Sequence, residues 1–208
     1  MNKVILTISG RTGSGKTTLA NRLCLEYGYL LRKVTTATTR PQRRDEPDDA
    51  YHFMTDSLFS DAVTAGRFIE HQKVGDYLYG VPLSSIDATD GMCSVVVLDF
   101  AGVYRLREVM APHPKVRVIS IFVDCDTATQ TKRLHPYNNG VSAEIYRWNI
   151  AVKEERTTEW EKAASDFTLN TADKYVFRYQ DEADDTWLAS AAQHNKEIFA
   201  LVAAASRD

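Results

Sequence analysis

A complete GxxxxGK[ST] motif occupies residues 10–17, where the sequence reads GRTGSGKT. An apolar, β-branched run at residues 4–9 precedes the motif and a helical pattern at residues 16–27 follows it, which is the strand–loop–helix context that the motif requires. Its glycines let successive backbone N–H groups turn inward around phosphate oxygens, and the helix N-terminus adds the positive end of its dipole. An ordinary glycine-rich connection is the alternative, but it would need no such context. The motif therefore predicts a P-loop, in which Lys16 reaches the outer phosphates of a nucleotide and Thr17 holds Mg²⁺.

Apolar runs elsewhere in the chain predict a parallel sheet. Residues 4–9, 94–98 and 116–123 alternate little, as strands do when helices cover both of their faces. A helical pattern follows each run, and this alternation is typical of a doubly wound α/β fold whose ligand site lies at the carboxyl ends of the strands. We also expect a short strand at 31–35, a long charged helix that Ser142 caps and that runs to about residue 164, an edge strand at 167–169 and a closing helix at 186–204.

The segment after the second predicted strand has a different character. Residues 35–53 combine prolines with dense charge, so we expect no regular buried element there. Residues 51–79 carry short aromatic runs around a predicted helix at 56–65. This pattern favours a small α+β lobe that is inserted into the sheet domain.

Composition limits the partners of the chain. Its 208 residues include 25 Lys and Arg against 28 Asp and Glu, so a net charge of -3 gives no general attraction for nucleic acid or anionic lipid. The apolar runs are far shorter than the roughly 20 residues of a membrane span, and the first residues lack a secretion-signal pattern. Three cysteines without a CxxC pair argue against a disulfide framework or a zinc cluster. We therefore expect a cytoplasmic protein, monomeric or homodimeric, that binds neither nucleic acid nor membranes.

Two groups of arginines favour a small-molecule kinase over other P-loop proteins. A Ras-like switch would need a base-recognition signature such as NKxD, which the sequence lacks, and a motor would normally be larger. Phosphoryl transfer needs cations around the moving group and a cover that excludes water. Arg40, Arg43 and Arg44 lie in the charged loop, and Arg133 and Arg147 flank the irregular segment at 134–140.

Aspartates end two of the predicted strands. Asp99 follows VVVL, at the place where a P-loop fold commonly has an acid near the water shell of the metal, although a strand-end cap of the next helix is the alternative. Asp124 ends the following strand and receives no role, because it too can cap a helix.

The sequence resembles the guanylate kinases over about residues 3–170. The resemblance rests on SGRTGSGKTTL, TTATTRPQR, the YHF run, GRFIEH, GDYLYG, the strand ending at Asp99, the KRL segment, Arg147 and DFTLN. It implies an α/β fold with a three-layer P-loop core and a parallel sheet (1–35 and 87–208), an inserted lobe that binds a nucleoside monophosphate (36–86) and a lid at about 134–142, all in the single domain 1–208. It also implies in-line transfer of the γ-phosphoryl group of ATP to GMP or dGMP, with Mg²⁺ as cofactor.

The resemblance assigns roles residue by residue. It places ATP at Gly10, Arg11, Thr12, Gly13, Ser14, Gly15, Lys16, Thr17, Thr18 and Asn170. It places the acceptor at Thr36, Arg40, Arg43, Tyr51, Glu70, Tyr79, Val81 and Asp99, with Glu70 accepting hydrogen bonds from the N1 and N2 edge of guanine and Thr36 contacting the base. It makes Lys16, Arg40, Arg133 and Arg147 the catalytic residues. It also makes Thr17 a metal ligand and implies that Asp99 contacts the metal through water.

Three departures from the family pattern leave the acceptor open. Val81 stands where the family usually has a Ser or Thr that donates to guanine, and the segment after Asp99 is shorter than usual and lacks a second acid. LHPYNNG lacks one of the lid arginines, so that either Arg147 carries more of the load or Lys132 compensates. A (d)GMP kinase leads, a kinase for another or modified nucleoside monophosphate is the alternative, and a non-catalytic binding module of this fold is disfavoured by the complete P-loop.

Overall fold

The computed structural model describes residues 3–44, 46–87, 93–134, 158–170 and 185–207. These residues form two β-sheets, the helices that pack on them and the connecting loops. The elements in chain order are β1 (Lys3–Gly10), α1 (Lys16–Glu26), β2 (Leu31–Lys33), β3 (Ala37–Thr38), β4 (His52–Phe53), α2 (Asp56–Thr64), β5 (Phe68–Val74), β6 (Tyr77–Pro82), α3 (Leu83–Asp87), β7 (Cys93–Val97), α4 (Phe100–Met110), β8 (Val116–Asp124), α5 (Thr127–Leu134), α6 (Thr158–Ala163), β9 (Phe167–Asn170) and α7 (Asp185–Arg207).

The larger sheet contains five strands in the order β2-β7-β1-β8-β9, and each neighbouring pair is parallel. Ile5 in the central strand β1 lies opposite Ser94 of β7 and Val118 of β8. Strand β2 lies on one side of β1, whereas β8 and β9 lie on the other side. The strand order therefore reverses direction beside β1, and the loop after β1 lies at this switch point, where α/β folds bind ligands. The predicted α/β fold with a parallel sheet is confirmed, and β9 is the predicted edge strand.

Helices cover both faces of this sheet. Val4, Leu6 and Ile8 of β1 pack on one face in a core that includes residues of α1 and α7, such as Leu19 and Ile198. On the other face, Ile5 belongs to a core that includes residues of α4. Because neighbouring side chains of a strand point to opposite faces, the apolar run of β1 supplies both cores, and the result is a three-layer arrangement.

The smaller sheet has the order β4-β3-β6-β5 and lies between β2 and β7 in the chain. Strands β5 and β6 form an antiparallel pair, and Phe59 of α2 stacks on Phe68 of β5 with ring centroids 4.5 Å apart. Ile69 and Val81 from this sheet join the core on the α4 side of the larger sheet. The small sheet is therefore packed directly against the core.

The structure corrects the expected organisation of residues 31–53. Strand β2 ends at Lys33 instead of residue 35, and a short buried strand, β3, lies in the segment for which we expected no regular buried element. Its small residue Ala37 pairs with His52 on one side and Gly80 on the other. Dense charge begins only at Arg40, so the preceding threonines and alanine are free to enter the sheet.

Other element boundaries differ slightly from the prediction. Helix α2 begins after Thr55, whose hydroxyl accepts a hydrogen bond from the Leu58 amide (3.3 Å), and α7 extends past both predicted ends. Helix α6 is the described part of the long predicted helix. Ser142, Arg147 and most of the predicted lid at about 134–142 lie outside the described residues.

Of the helices that are described, none is long and apolar enough to cross a membrane.

Candidate active site

The P-loop joins β1 to α1 at the carboxyl edge of the larger sheet. Gly10, Gly13 and Gly15 have positive φ angles of 134°, 79° and 99°, a backbone conformation that residues with a side chain rarely adopt. A Cβ atom at Gly10 would also overlap the carbonyl oxygen of Val123 in the neighbouring strand β8. The glycines are therefore required by the turn and by the close approach of β8.

Lys16, in the first turn of α1, folds back over the loop. Its Nζ donates hydrogen bonds to the carbonyl oxygens of Gly10 (2.7 Å) and Arg11 (2.9 Å). The ammonium group thus lies above the concave side of the loop, where the outer phosphates of a nucleotide are expected. Thr17 is exposed at the start of the same helix, and its hydroxyl makes no hydrogen bond to any residue in the described part of the chain. A hydroxyl in this position fits a cation that arrives with the nucleotide.

Helix α5 lies against the other side of the P-loop. Arg133 donates from Nη1 to the carbonyl oxygens of Ser14 (3.1 Å) and Gly13 (3.4 Å). Arg11 reaches toward the same helix and donates from Nη1 to the Cys125 carbonyl oxygen (3.0 Å). Arg133, one of the predicted catalytic arginines, is therefore next to the phosphate loop, whereas Arg147 and the side chain of Asn170 lie outside the description.

A second cationic site is built in the small lobe around Arg40. This side chain is only 7% exposed, and its Nη2 donates to both carboxylate oxygens of Glu46, at 2.8 and 2.9 Å. Its guanidinium carbon also lies 5.3 Å from the ring centroid of Tyr51 and 5.8 Å from that of Phe53. Burial opposes the charge of Arg40, but the hydrogen bonds and the charge of Glu46 outweigh it and raise the pKa of the guanidinium.

The predicted acceptor-phosphate residues cluster around Arg40, with one of them at the surface. The rings of Tyr51 and Tyr79 meet edge to face with centroids 6.3 Å apart, and burial is the main cause of the raised pKa of Tyr51. Arg43 is exposed, and its backbone N–H donates to Glu46 (3.1 Å). Thr36 is buried directly before β3. The structure thus brings these residues into one lobe.

Glu70 lies in β5 where the lobe meets the core. Its side chain is 2% exposed, and neither carboxylate oxygen has a hydrogen-bond partner among the described residues. Burial, with a smaller contribution from the charge of Asp99, raises the pKa of Glu70 to about 7. A buried carboxyl without partners carries a desolvation cost, which makes this residue a candidate for binding a ligand.

The surroundings of Glu70 come from both parts of the fold. Val81 lies opposite Glu70 in the β5–β6 pair and is fully buried in the apolar core, so this position offers no hydrogen-bond donor. A Cβ atom on Gly102 of α4 would lie 3.4 Å from Glu70 Oε2 and 2.7 Å from Gln72 Nε2. The lobe therefore packs closely on the first turn of α4.

Asp99 caps α4. Its Oδ1 accepts hydrogen bonds from the Gly102 backbone N–H (2.9 Å) and from the Gln72 side-chain amide. The alternative role of Asp99 as a helix cap is thus present, and its second carboxylate oxygen accepts no hydrogen bond from the described residues. Asp124, which received no role, forms an ion pair with Lys162 of α6 at 2.7 Å.

Sequence reasoning missed three side chains that organise the site. Glu46 holds Arg40 and Arg43, but it is one of four acids in the same loop, at positions 45, 46, 48 and 49, so the sequence does not single it out. Gln72 bridges the lobe to Asp99, and Gln130 of α5 contacts the P-loop. Neither glutamine belongs to a motif, so only the three-dimensional arrangement identifies them.

Comparison with known proteins agrees with this architecture. A sequence model of the family described as guanylate kinase matches residues 1–175. The guanylate kinase of Wolbachia sp. subsp. Brugia malayi (strain TRS) is 30% identical over 155 residues, which cover 73% of this chain and 77% of that protein. The guanylate kinase of Anaplasma phagocytophilum (strain HZ) is 33% identical over 123 residues, covering 58% of this chain and 57% of that protein.

A solved structure supports the fold. The crystal structure of guanylate kinase from Anaplasma phagocytophilum superposes with a TM-score of 0.65 at 23% identity, covering 97% of this chain and 87% of that chain. Because the family model matches well over half of the sequence, this chain belongs to the guanylate kinase family and is a nucleoside monophosphate kinase.

Proposed function

We propose that this enzyme transfers the γ-phosphoryl group of ATP to GMP or dGMP and releases ADP with GDP or dGDP. The observation that carries the choice of acceptor is Glu70, a buried carboxylate whose two oxygens lack partners among the described residues. Guanine presents two adjacent donors on its Watson–Crick edge, N1–H and N2–H₂, whereas adenine and cytosine pair one amino donor with a ring acceptor. Only guanine, among the common bases, satisfies both oxygens of one ionised carboxylate in this way.

The phosphate of the acceptor is assigned to the Arg40 cluster. Nη2 of Arg40 donates to both carboxylate oxygens of Glu46, and the Pro41 carbonyl oxygen accepts from Nη1 at 2.7 Å. The Nε–H and the second Nη1–H remain available for phosphate oxygens, in an orientation that Glu46 fixes. Tyr51 and Tyr79 add phenol donors, and Arg43 adds a second guanidinium from the surface.

The donor phosphates are assigned to the P-loop, with Lys16 moving from loop carbonyls to phosphate oxygens. In this proposal Mg²⁺ arrives bound to ATP. Within the described ranges, no group of three His, Cys, Asp or Glu side chains could hold a metal ion. Thr17 would contribute its hydroxyl, and Asp99 would act through a bound water. The cation neutralises charge on the phosphates, while Arg133 and, by family resemblance, Arg147 stabilise the transferring group.

Access of the base to Glu70 requires a movement. The carboxyl group lies against Gly102 and Gln72 and is almost completely buried. Strand β5 must therefore separate from the first turn of α4 before guanine reaches Glu70, and the lobe closes again over the bound base.

A kinase for another nucleoside monophosphate is the second candidate, and Val81 is the observation that favours it. A buried valine gives the O6 atom of guanine no donor at this position, and leaving a buried acceptor unpaired costs about 1–3 kcal/mol. A base with an apolar edge or substituent next to Val81 would leave no hydrogen-bond acceptor unpaired. The complete P-loop argues against a binding module without catalysis.

Coupled detection of ADP release tests the proposal. The enzyme is assayed with MgATP against GMP, dGMP and the other common ribo- and deoxyribonucleoside monophosphates, with Lys16→Ala as the control for background hydrolysis. The proposal predicts that GMP or dGMP has the highest kcat/KM. A higher kcat/KM for another monophosphate would assign the acceptor to the second candidate, and no transfer to any acceptor would refute both.

A further inference from the structure

Gln130 connects helix α5 to the P-loop. Its side chain is 1% exposed, and its Nε2 donates to the Thr12 carbonyl oxygen at 2.8 Å. Its Oε1 accepts a hydrogen bond from Arg11 Nη2 at 2.6 Å. Arg11 is itself 7% exposed and is anchored by its second contact to Cys125. Both polar groups of the buried amide are thus used.

These contacts define the orientation of the amide. Arg11 can only donate, so Oε1 of Gln130 must face it, and Nε2 then faces the Thr12 carbonyl oxygen. The reversed amide would place two donors together at Arg11 and two acceptors together at Thr12. The guanidinium therefore determines which group Gln130 offers to the P-loop.

The P-loop backbone approaches α5 too closely for this contact to be incidental. A Cβ atom on Gly13 would lie 3.2 Å from Leu134 Cδ2 and 3.8 Å from Gln130 Cγ. Helix α5 thus covers the loop at Gly13, and the buried polar side chain of Gln130 fills the adjoining space.

The trans geometry of the peptide bonds links these contacts to the direction of the backbone N–H groups in the P-loop. No cis peptide bond occurs among the described residues, so the C=O and N–H of each peptide unit point in opposite directions. With the Thr12 carbonyl held toward α5, the Gly13 N–H points away from α5, into the loop. The Ser14 carbonyl, held by Arg133 at 3.1 Å, directs the Gly15 N–H in the same way.

We propose that Gln130 is a positioning residue for the donor nucleotide, which holds the Thr12 carbonyl against α5 so that the Gly13 N–H faces the phosphates, and that Arg11 acts through Gln130. This inference rests on the proposed binding of ATP at the P-loop. It does not depend on which monophosphate is the acceptor, because the contacts involve only the donor side of the site.

Binding measurements on near-isosteric variants test the inference. Gln130→Leu removes both hydrogen bonds while filling the space, and Gln130→Met serves the same purpose if the first variant folds poorly. We measure the Kd of ADP and of GMP by isothermal titration calorimetry, and thermal unfolding to verify the fold. We expect ADP binding to weaken about tenfold, as for the loss of one to two net hydrogen bonds, while GMP binding changes less than about twofold. A merely structural defect would weaken both ligands together.

Two further variants complete the design. Thr131→Ala removes a hydroxyl that bonds only within α5, to the Thr127 carbonyl oxygen, and should leave ADP binding unchanged. Arg11→Met combined with Gln130→Leu should lose no more affinity than Gln130→Leu alone, because Arg11 acts through the amide.

The outcomes separate this inference from the proposed function. Unchanged ADP binding in the Gln130 variants, or a loss of ADP affinity in the double variant beyond that of Gln130→Leu, would overturn the inference alone while the wild-type enzyme still binds ADP. A wild-type chain that binds no ADP would overturn the donor assignment and this inference with it.

Discussion

Replacing Glu70 with Gln is predicted to stabilise the protein at high pH. The substitution keeps the size of the side chain and removes a buried charge whose oxygens lack partners among the described residues. The pKa of Glu70 is raised from 4.5 to about 7, so between these values the folded protein binds a proton that the unfolded chain has released. Wild-type stability therefore falls as pH rises through this window, because the folded state holds more protons than the unfolded state.

The size of the effect follows from the shift. A shift from 4.5 to about 7, at 1.36 kcal/mol for each pH unit, corresponds to about 3 kcal/mol at pH 8 as an upper value. For a protein of this length, the same free energy corresponds to an increase in Tm of roughly 5–10 °C. Below pH 4.5 Glu70 is protonated in both states, and the difference between Glu70→Gln and wild type should approach zero.

Urea unfolding of the two proteins at pH 5, 6, 7 and 8 measures this difference. Glu108→Gln is the matched control, because Glu108 is exposed and pairs only with the exposed Arg105 on the same helix. We expect the advantage of Glu70→Gln to grow between pH 5 and about pH 7 and to level off above it, while the control follows wild type. An advantage that is independent of pH, or a variant that is less stable than wild type at pH 8, would refute the assignment of a desolvated carboxyl to Glu70.

Three further predictions concern the rest of the site. Glu46→Gln should lower stability at pH 7 by about 2 kcal/mol. Burial opposes the charge of Glu46, but hydrogen bonds from its arginine partners outweigh it and lower its pKa, so the loss should vanish as pH falls below 4.5; urea unfolding against pH tests this. Gly10→Ala should prevent stable folding, since its Cβ overlaps a backbone carbonyl of β8, whereas Gly66→Ala, with φ of 64° and open space, should cost about 1 kcal/mol by thermal unfolding. Val81→Thr should lower the KM of GMP and reduce stability by about 1–2 kcal/mol; steady-state kinetics and thermal unfolding test both effects.

Local signals in the sequence predict much of the fold. The P-loop, β1 and α1 follow from one motif and its flanking periodicity, because the loop needs glycines at fixed positions and a helix directly after it. Strands β7 and β8 follow from apolar runs that only a sheet covered on both faces can bury. Strand β3 was missed because it is two residues long and owes its place to pairing with β4 and β6, which are distant in sequence.

The candidate site could be predicted only in part for the same reason. Side chains that belong to motifs, such as Lys16 and Arg40, are recognisable by type and spacing. Glu46 and Gln130 act through contacts whose partners depend on how a loop and a helix pack, and no local pattern encodes those contacts. The burial of Glu70 likewise results from the docking of β5 on α4, so its raised pKa could not be inferred from the sequence.

The kinetic preference for GMP over IMP tests the central role of Glu70 most directly. Hypoxanthine keeps the N1–H donor of guanine and lacks the 2-amino group, so IMP leaves one oxygen of the buried carboxylate unpaired. We predict that kcat/KM for GMP exceeds that for IMP by at least about tenfold, and that Glu70→Gln removes most of this preference. Equal use of GMP and IMP by the wild-type enzyme, or a preference that persists in Glu70→Gln, would contradict the account.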